Sequence, residues 1–281
     1  MMFSIDGFDL NDFIVRTLAE DAGESGDVTS IAVIPADARL TAVMDSRDAV
    51  VVAGLPVAAA FFRRLDPDCR VDMLVEDGAA VDRGADLMRV SGNARALLTA
   101  ERPALNTVQH LSGIATVARQ YADAVAGTCA TVLDTRKSHP GLRLLQKYAT
   151  RTGGITNHRM TLSDQPMIKD NHVAIAGSVG EAVRRAKAAG LTDVVVEVDR
   201  LDQIAPALDA GADRLLLDNM GPDLLGEALS IIAGRVPAEA SGGVNLDTIR
   251  AIAETGVDFI SVGRIIQSSP AADIGLDFVG P

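Results

Sequence analysis

Residues 194–263 read VVVEVDRLDQIAPALDAGADRLLLDNMGPDLLGEALSIIAGRVPAEASGGVNLDTIRAIAETGVDFISVG. Four short apolar runs stand in this stretch: Val194–Val198, Leu215–Leu217, Ala238–Ala240 and Phe259–Val262. The segments between them have helical spacing, and Asn245 or Asp247 with Gly256 brackets one of them. Strands that alternate with helices predict a parallel sheet with right-handed crossovers. Each run closes on a residue able to do chemistry: Glu197, Asp218, Ser241 and Gly263, spaced by 21, 23 and 22 residues. In a closed barrel such residues gather at the C-terminal face of the strands, where active sites form.

The pattern extends backwards. Thr131–Leu133 ends at Asp134 and Met167–Ile168 ends at Lys169. Ser178 and Glu181 predict a capping box at the start of the next helix, and Gly190 its end. Before Thr131 the order changes. Asn11 is expected to cap a first helix carrying Phe13, Ile14 and Leu18. A turn at Gly26-Asp27 follows. Strand-like runs come next at Leu40–Met44, Val50–Ala53, Val71–Val75 and Leu87–Val90, with a helix near Pro56 between them. A long helical region opens at Asn93, with an expected kink or join at Pro103 and a break at Ser112-Gly113. The first hundred residues therefore read as a small α+β domain with an antiparallel sheet.

Charge singles out residues 134–172, DTRKSHPGLRLLQKYATRTGGITNHRMTLSDQPMIKDNH. This stretch sums to +4 in a chain of formal net charge −12, and holds three of the four histidines, His139, His158 and His172. A cationic island in an acidic protein collects small anions, while the acidic exterior repels nucleic acid. The alternative is a solvated basic face. Arg102, Arg136 and Arg159 can each clamp a carboxylate with two parallel bonds. His158 and His172 can add neutral donors. Arg143, Lys147 and Arg151 recur every four residues and read as one charged helix face.

Ser241-Gly242-Gly243 and Val262-Gly263-Arg264 follow the last two strands, the usual phosphate position of such barrels; the alternative is two ordinary tight turns. Glu197 and Asp218 fall on neighbouring strands. They can hold Mg²⁺ or stabilise a developing cation, or they are structural partners of Lys169 or Lys137. Cys69 and Cys129 have no metal-ligand spacing, which points to a reducing compartment. The acidic N-terminus lacks the basic start of a secretory signal. The longest apolar run, Ala49–Phe62, is too short and interrupted to cross a membrane. The expectation is a cytoplasmic protein that binds neither membrane nor nucleic acid.

Motifs along nearly the whole chain resemble the quinolinate phosphoribosyltransferases (nicotinate-nucleotide pyrophosphorylase, carboxylating). They are GDVT from Gly26, AERPALNTVQHLSGIAT from Ala100, DTRKSHPGLR, GGITNHRM, IKDNH, VEVD, LLLDN, ASGGV, ISVGR and DIGLDF. The resemblance implies an α/β fold: a small N-terminal α/β sandwich domain, residues 1–105 joined by 270–281, and an incomplete seven-stranded parallel α/β barrel, residues 106–269. It implies transfer of phosphoribosyl from 5-phosphoribosyl 1-pyrophosphate to quinolinate with Mg²⁺, giving nicotinate mononucleotide, pyrophosphate and carbon dioxide. This is the de novo entry to NAD.

By the same resemblance Arg102, Arg136, His158, Arg159 and Lys169 hold quinolinate, and Lys137 holds the pyrophosphate side. Glu197 and Asp218 face ribose and metal, and with Lys169 they form the catalytic group. Ser241, Gly242, Gly243, Gly263 and Arg264 hold the 5-phosphate. Arg102 is implied to enter the neighbouring subunit's pocket, which makes a homodimer with shared active sites, a hexamer being a further assembly. The chain departs from the family pattern at Gln146, Ile155, Ser163, Asp199, Arg264 and Gln267. A rival is a ModD-like relative of the same fold linked to molybdenum transport, which lacks an intact IKDNH segment. A barrel aldolase using Lys169 as a Schiff base, and a non-catalytic anion binder, are further alternatives.

Overall fold

The computed structural model describes residues 4–279. Its chain divides into two compact units: residues 1–117 with 144–154 and 269–281, and residues 118–143 with 155–268. The division after Val117 falls inside a helix, twelve residues beyond the boundary expected from sequence.

The first unit opens with α1 (Leu10–Ala22) and α2 (Val28–Val33). Then come β1 (Arg39–Ser46), β2 (Val50–Val51), α3 (Leu55–Leu65), β3 (Arg70–Met73), β4 (Ala80–Val81), β5 (Asp86–Asn93) and α4 (Ala94–Ala124). The expected cap at Asn11 is instead Asp9, whose carboxylate accepts the Asp12 N–H at 2.9 Å. The expected turn at Gly26-Asp27 starts α2, because Asp27 accepts the Ser30 N–H at 2.9 Å. Four strands form one antiparallel sheet in the order β12-β1-β5-β3, where β12 is Ile274–Phe278. The pairing of Met44 with Leu276 brings the chain's last strand to this first-unit sheet.

α4 runs as one helix through both Pro103 and Ser112-Gly113, so the break expected at Ser112-Gly113 is absent and Pro103 does not join two helices. An interior proline costs a helix about 3 kcal/mol. Burial of Leu97, Leu105, Val108, Leu111 and Ile114, each essentially inaccessible, outweighs that at about 1.5–3 kcal/mol per side chain. Ser112 and Gly113 form a packing notch. The Ser112 hydroxyl accepts the Ala53 N–H at 3.0 Å, and a Cβ on Gly113 would lie 2.0 Å from the Pro270 carbonyl oxygen.

The second unit holds β6 (Thr131–Leu133), β7 (Met167–Ile168), α6 (Asp170–Ala176), α7 (Val179–Ala188), β8 (Val195–Val198) and α8 (Ile204–Asp209). It continues with β9 (Arg214–Asp218), α9 (Pro222–Ile232), β10 (Ala238–Ser241), α10 (Ile249–Glu254), β11 (Phe259–Ser261) and α11 (Arg264–Gln267). Between β6 and β7 lies α5 (Arg143–Thr152), nearly all of it assigned to the first unit. Six strands form a parallel sheet in the order β6-β11-β10-β9-β8-β7. A parallel bridge between Leu133 and Thr156 adds the seventh position beside β6. Among the described residues no ladder joins Thr156 to β7, so the barrel stays incomplete. Ser178 caps α7 as expected, while Glu181 turns outward to Arg184 and Arg185 instead of closing the box.

Register brings the chemistry to one layer. Leu216 pairs with both Glu197 and Glu239, and Asp218 pairs with Ser241. Side chains alternate faces along a strand, so Leu216, Asp218, Glu239 and Ser241 share the inner face with Glu197.

Candidate active site

A cavity of about 560 Å³ opens within the second unit at the C-terminal ends of its strands. Such a volume suits a small-molecule site. Eleven of the twelve substrate-site and catalytic residues expected in this unit can be named by wall: Arg136, Lys137, His158 and Arg159 on one, Lys169, Glu197 and Asp218 on another, and Ser241, Gly242, Gly243 and Gly263 in the loops. Arg264, the twelfth, also lines it. Arg102 belongs to α4 in the first unit, where its exposed side chain lies 3.6 Å from Glu101.

The cationic wall is built from two loops. Arg159 donates to the Gln165 carbonyl at 2.7 Å, which fixes the guanidinium plane. Burial, and then the like charge of Arg136, lower the Arg159 pKa. Among the described residues the buried Arg136 Nε has no hydrogen-bond partner. Two crowded guanidiniums, one with an unanswered donor, make a site that a carboxylate-bearing ligand would stabilise.

Asp134, expected as a chemically active strand end, is fully buried and does something else. Its carboxylate accepts the His158 N–H at 2.9 Å and the Asn157 amide at 2.7 Å, fastening the loop that carries Arg159. The His158 ring makes one hydrogen bond and one close charged approach within the protein. Nδ1 accepts the Arg159 N–H at 2.7 Å, and Nε2 lies 3.2 Å from Glu239 Oε1, off the ideal hydrogen-bond line.

Lys169 donates to Glu197 in a short charged contact. Burial raises the Asp218 pKa, the charge of Glu197 raises it further, and Lys169 and Lys137 oppose this. Of the alternatives left open for these carboxylates, the structure shows the lysine partner, Lys169 on Glu197. Among the described residues no three His, Cys, Asp or Glu side chains form a metal-binding group.

The glycine loops are sterically required. Gly242 has φ +87°, and a Cβ there would come within 2.2 Å of the Asn219 Oδ1. Asn219 itself holds φ +57° and donates to Asp218 at 2.6 Å, so the LLLDN and SGG segments interlock. A Cβ on Gly263 would meet the Lys137 stem at 2.8 Å, so glycine lets that lysine cross the loop.

Three expected residues go elsewhere. His172 accepts the Lys169 N–H at 2.9 Å and caps α6, so it serves the helix rather than the cavity. Arg143 ties Ser138 to the Met160 carbonyl, each at 3.0 Å. Lys147 is not on a charged face, because it is fully buried in the first unit. Conversely, Glu239 and Asn219 line the cavity and were not singled out as site residues; Gln267, noted only as a departure from the family pattern, lines it too. The signal for Glu239 was present: it stands two residues before Ser241, on the same strand face.

Residues 27–112 match the family model for the N-terminal domain of quinolinate phosphoribosyl transferase, and residues 114–277 match that for its C-terminal domain. This chain belongs to the quinolinate phosphoribosyltransferase family. The nicotinate-nucleotide pyrophosphorylase [carboxylating] of Mycobacterium leprae is 44% identical, covering 95% of this chain and 96% of that one. The chloroplastic enzyme of the same name from Arabidopsis thaliana is 41% identical over 96% of this chain and 82% of its own. The crystal structure of nicotinate-nucleotide pyrophosphorylase from Ehrlichia chaffeensis superposes with a TM-score of 0.93 at 35% identity, covering 97% of this chain and all of the other. These relatives do not favour the molybdenum-transport alternative. Among the described residues no helix is long and apolar enough to cross a membrane.

Proposed function

We propose that this chain is a pentosyltransferase that joins the ring nitrogen of quinolinate to the phosphoribosyl group of 5-phosphoribosyl 1-pyrophosphate. The products are nicotinate mononucleotide, pyrophosphate and carbon dioxide, a step of NAD biosynthesis. One observation carries the reading: a single cavity sets a two-arginine wall against a carboxylate pair, with glycine loops at its rim.

Arg136 and Arg159 clamp the two quinolinate carboxylates and orient the ring nitrogen towards the sugar. Lys137 receives the pyrophosphate side, and the Ser241–Gly243 and Gly263–Arg264 loops receive the 5-phosphate. As the bond from the anomeric carbon to pyrophosphate breaks, positive charge grows on the sugar, and the fixed Glu197 carboxylate stabilises it. Lys169 holds Glu197 aimed through their charged contact. The ring nitrogen then forms its bond to the anomeric carbon. Its new positive charge accepts the electron pair released when the adjacent carboxylate leaves as carbon dioxide, and a proton takes the vacated ring position.

Mg²⁺ fits this scheme as an ion carried by the substrate. It is commonly held by one or two carboxylates together with substrate phosphates, and Asp218 and Glu197 supply that donor set. When bound, it would neutralise charge on the departing pyrophosphate. The test is purified protein with quinolinate, 5-phosphoribosyl 1-pyrophosphate and Mg²⁺, with nicotinate mononucleotide as the readout. Product from nicotinate and none from quinolinate would overturn the carboxylating assignment.

The active form in this reading is a homodimer in which Arg102 enters the partner's pocket. Inactive Arg102→Ala and Lys169→Ala proteins, mixed and allowed to exchange subunits, should then recover about a quarter of parental activity, since half the dimers are mixed and each has one intact pocket. An inactive mixture after proven exchange would rule this out. A cytoplasmic setting agrees with two free cysteines, Cys69 buried and Cys129 exposed.

A further inference from the structure

Glu239 sits in the middle of β10 with no accessible surface, beneath the cavity's arginine wall. A buried carboxylate needs partners, and three surround it. Arg214 Nη1 lies 3.3 Å from Oε2, His158 Nε2 lies 3.2 Å from Oε1, and Ser261 on the neighbouring β11 helps to lower the pKa of the same carboxylate. Arg214 is itself held over the Phe259 ring, 4.2 Å from its centroid. Burial raises the Glu239 pKa and the His158, Ser261 and Arg214 interactions lower it more, so the carboxylate stays charged.

The three partners constrain one another. Arg214 has only donors to offer, and an ionised carboxylate only acceptors. The His158 Nδ1 accepts the Arg159 backbone N–H at 2.7 Å, so that nitrogen carries no proton. In a neutral ring the proton is then on Nε2, the atom facing Glu239. Arg159, the next residue, presents its guanidinium to the cavity. We propose that Glu239 is a positioning residue for the anion pocket: it holds His158 in the Nε2–H tautomer, and this fixes the backbone from which Arg159 reaches the substrate carboxylate. The substrate part of this inference rests on the quinolinate reading above; the tautomer part does not.

Glu239→Gln separates this role from simple packing, because it keeps the shape. Arg214 claims the amide oxygen of the new side chain, which leaves an NH₂ group facing His158. The ring must then accept at Nε2 and carry its proton on Nδ1, opposite the Arg159 N–H, so two donors meet. Glu239→Asp keeps an acceptor-only charged group and should restore most of the parental behaviour.

Two measurements test the proposal. Nitrogen-15 NMR of histidine-labelled protein, with the signal assigned by loss in His158→Gln, should find Nδ1 unprotonated and Nε2 protonated in the parent. It should find the reverse in Glu239→Gln. An Nδ1–H ring in the parent overturns the proposal, whatever the variants do and whether or not they fold. In kinetics, Glu239→Gln should raise the KM for quinolinate about tenfold or more, with kcat changed less and the KM for 5-phosphoribosyl 1-pyrophosphate within about twofold. Parental KM values in a folded Glu239→Gln overturn it too. A parent that never turns over quinolinate sinks the functional reading instead, and the NMR result still decides the tautomer.

Discussion

Lys147 and Lys169 lie in one basic stretch of sequence, yet they have opposite surroundings. Lys169 stands at the end of β7, partly exposed, lining the cavity and paired with Glu197. Lys147 stands on α5, fully buried, within a helix whose neighbours Gln146 and Tyr148 bond His110 at 2.9 Å and Asp77 at 2.6 Å in the first unit. The 134–172 island is thus two regions. Its ends, residues 134–143 and 155–172, belong to the second unit and bring Arg136, Lys137, Arg159 and Lys169 to the cavity. Its middle, residues 144–154, belongs to the first unit and packs. Local charge density cannot distinguish a binding cation from a packing one; the element that carries it can.

The sharpest break of this contrast is Arg136→Ala. On the proposed reading it removes a carboxylate clamp and leaves the ligand's charge poorly paired. Quinolinate binding, followed by titration calorimetry, should weaken by about 2–5 kcal/mol while folding stability barely changes. Arg136→Lys should recover only part, since a point charge cannot donate two parallel bonds. Undiminished binding in Arg136→Ala would remove Arg136 from the site.

Lys147→Ala should show the converse. Truncating a fully buried long side chain should lower folding stability by about 3 kcal/mol in chemical denaturation. The KM values of the protein that remains folded should stay near parental. A stable Lys147→Ala protein with weak quinolinate binding would erase the distinction between the two regions.

Glu197→Gln keeps shape and loses charge. Turnover should fall on the order of a hundredfold, about 2.7 kcal/mol, with substrate binding affected less. Equal losses in both would make Glu197 a ligand of ribose or metal rather than a stabiliser of developing charge. The smallest effect belongs to Arg151, exposed on the last turn of α5. Arg151→Ala should leave stability within about 0.5 kcal/mol and the kinetics unchanged, measured in the same two assays.

Much of the site was legible in the chain. The strands from β8 to β11 have few polar residues, so Glu197, Asp218 and Ser241 stood out against apolar runs at near-constant spacing. Glu239 did not stand out, although its position two before Ser241 encoded its face. A lone acid between alanines is conspicuous only once the strand is known to point inward. Pro103 and Gly113 misled because their local cost to a helix is fixed while the burial that overrides it is not local.

The sequence by itself determined the parallel strand–helix alternation, the C-terminal strand ends as the place where polar residues gather, and the excess of cations near them. Those properties follow from periodicity and charge, which are written along the chain. Only the tertiary structure decided that α4 is unbroken, that α5 and its Lys147 pack in the first unit, and that Asp134 and His172 support loops and helix ends. It also decided that Glu239 lies under His158. Each of these depends on contacts between residues distant in sequence, whose burial and hydrogen bonds outweigh local preference.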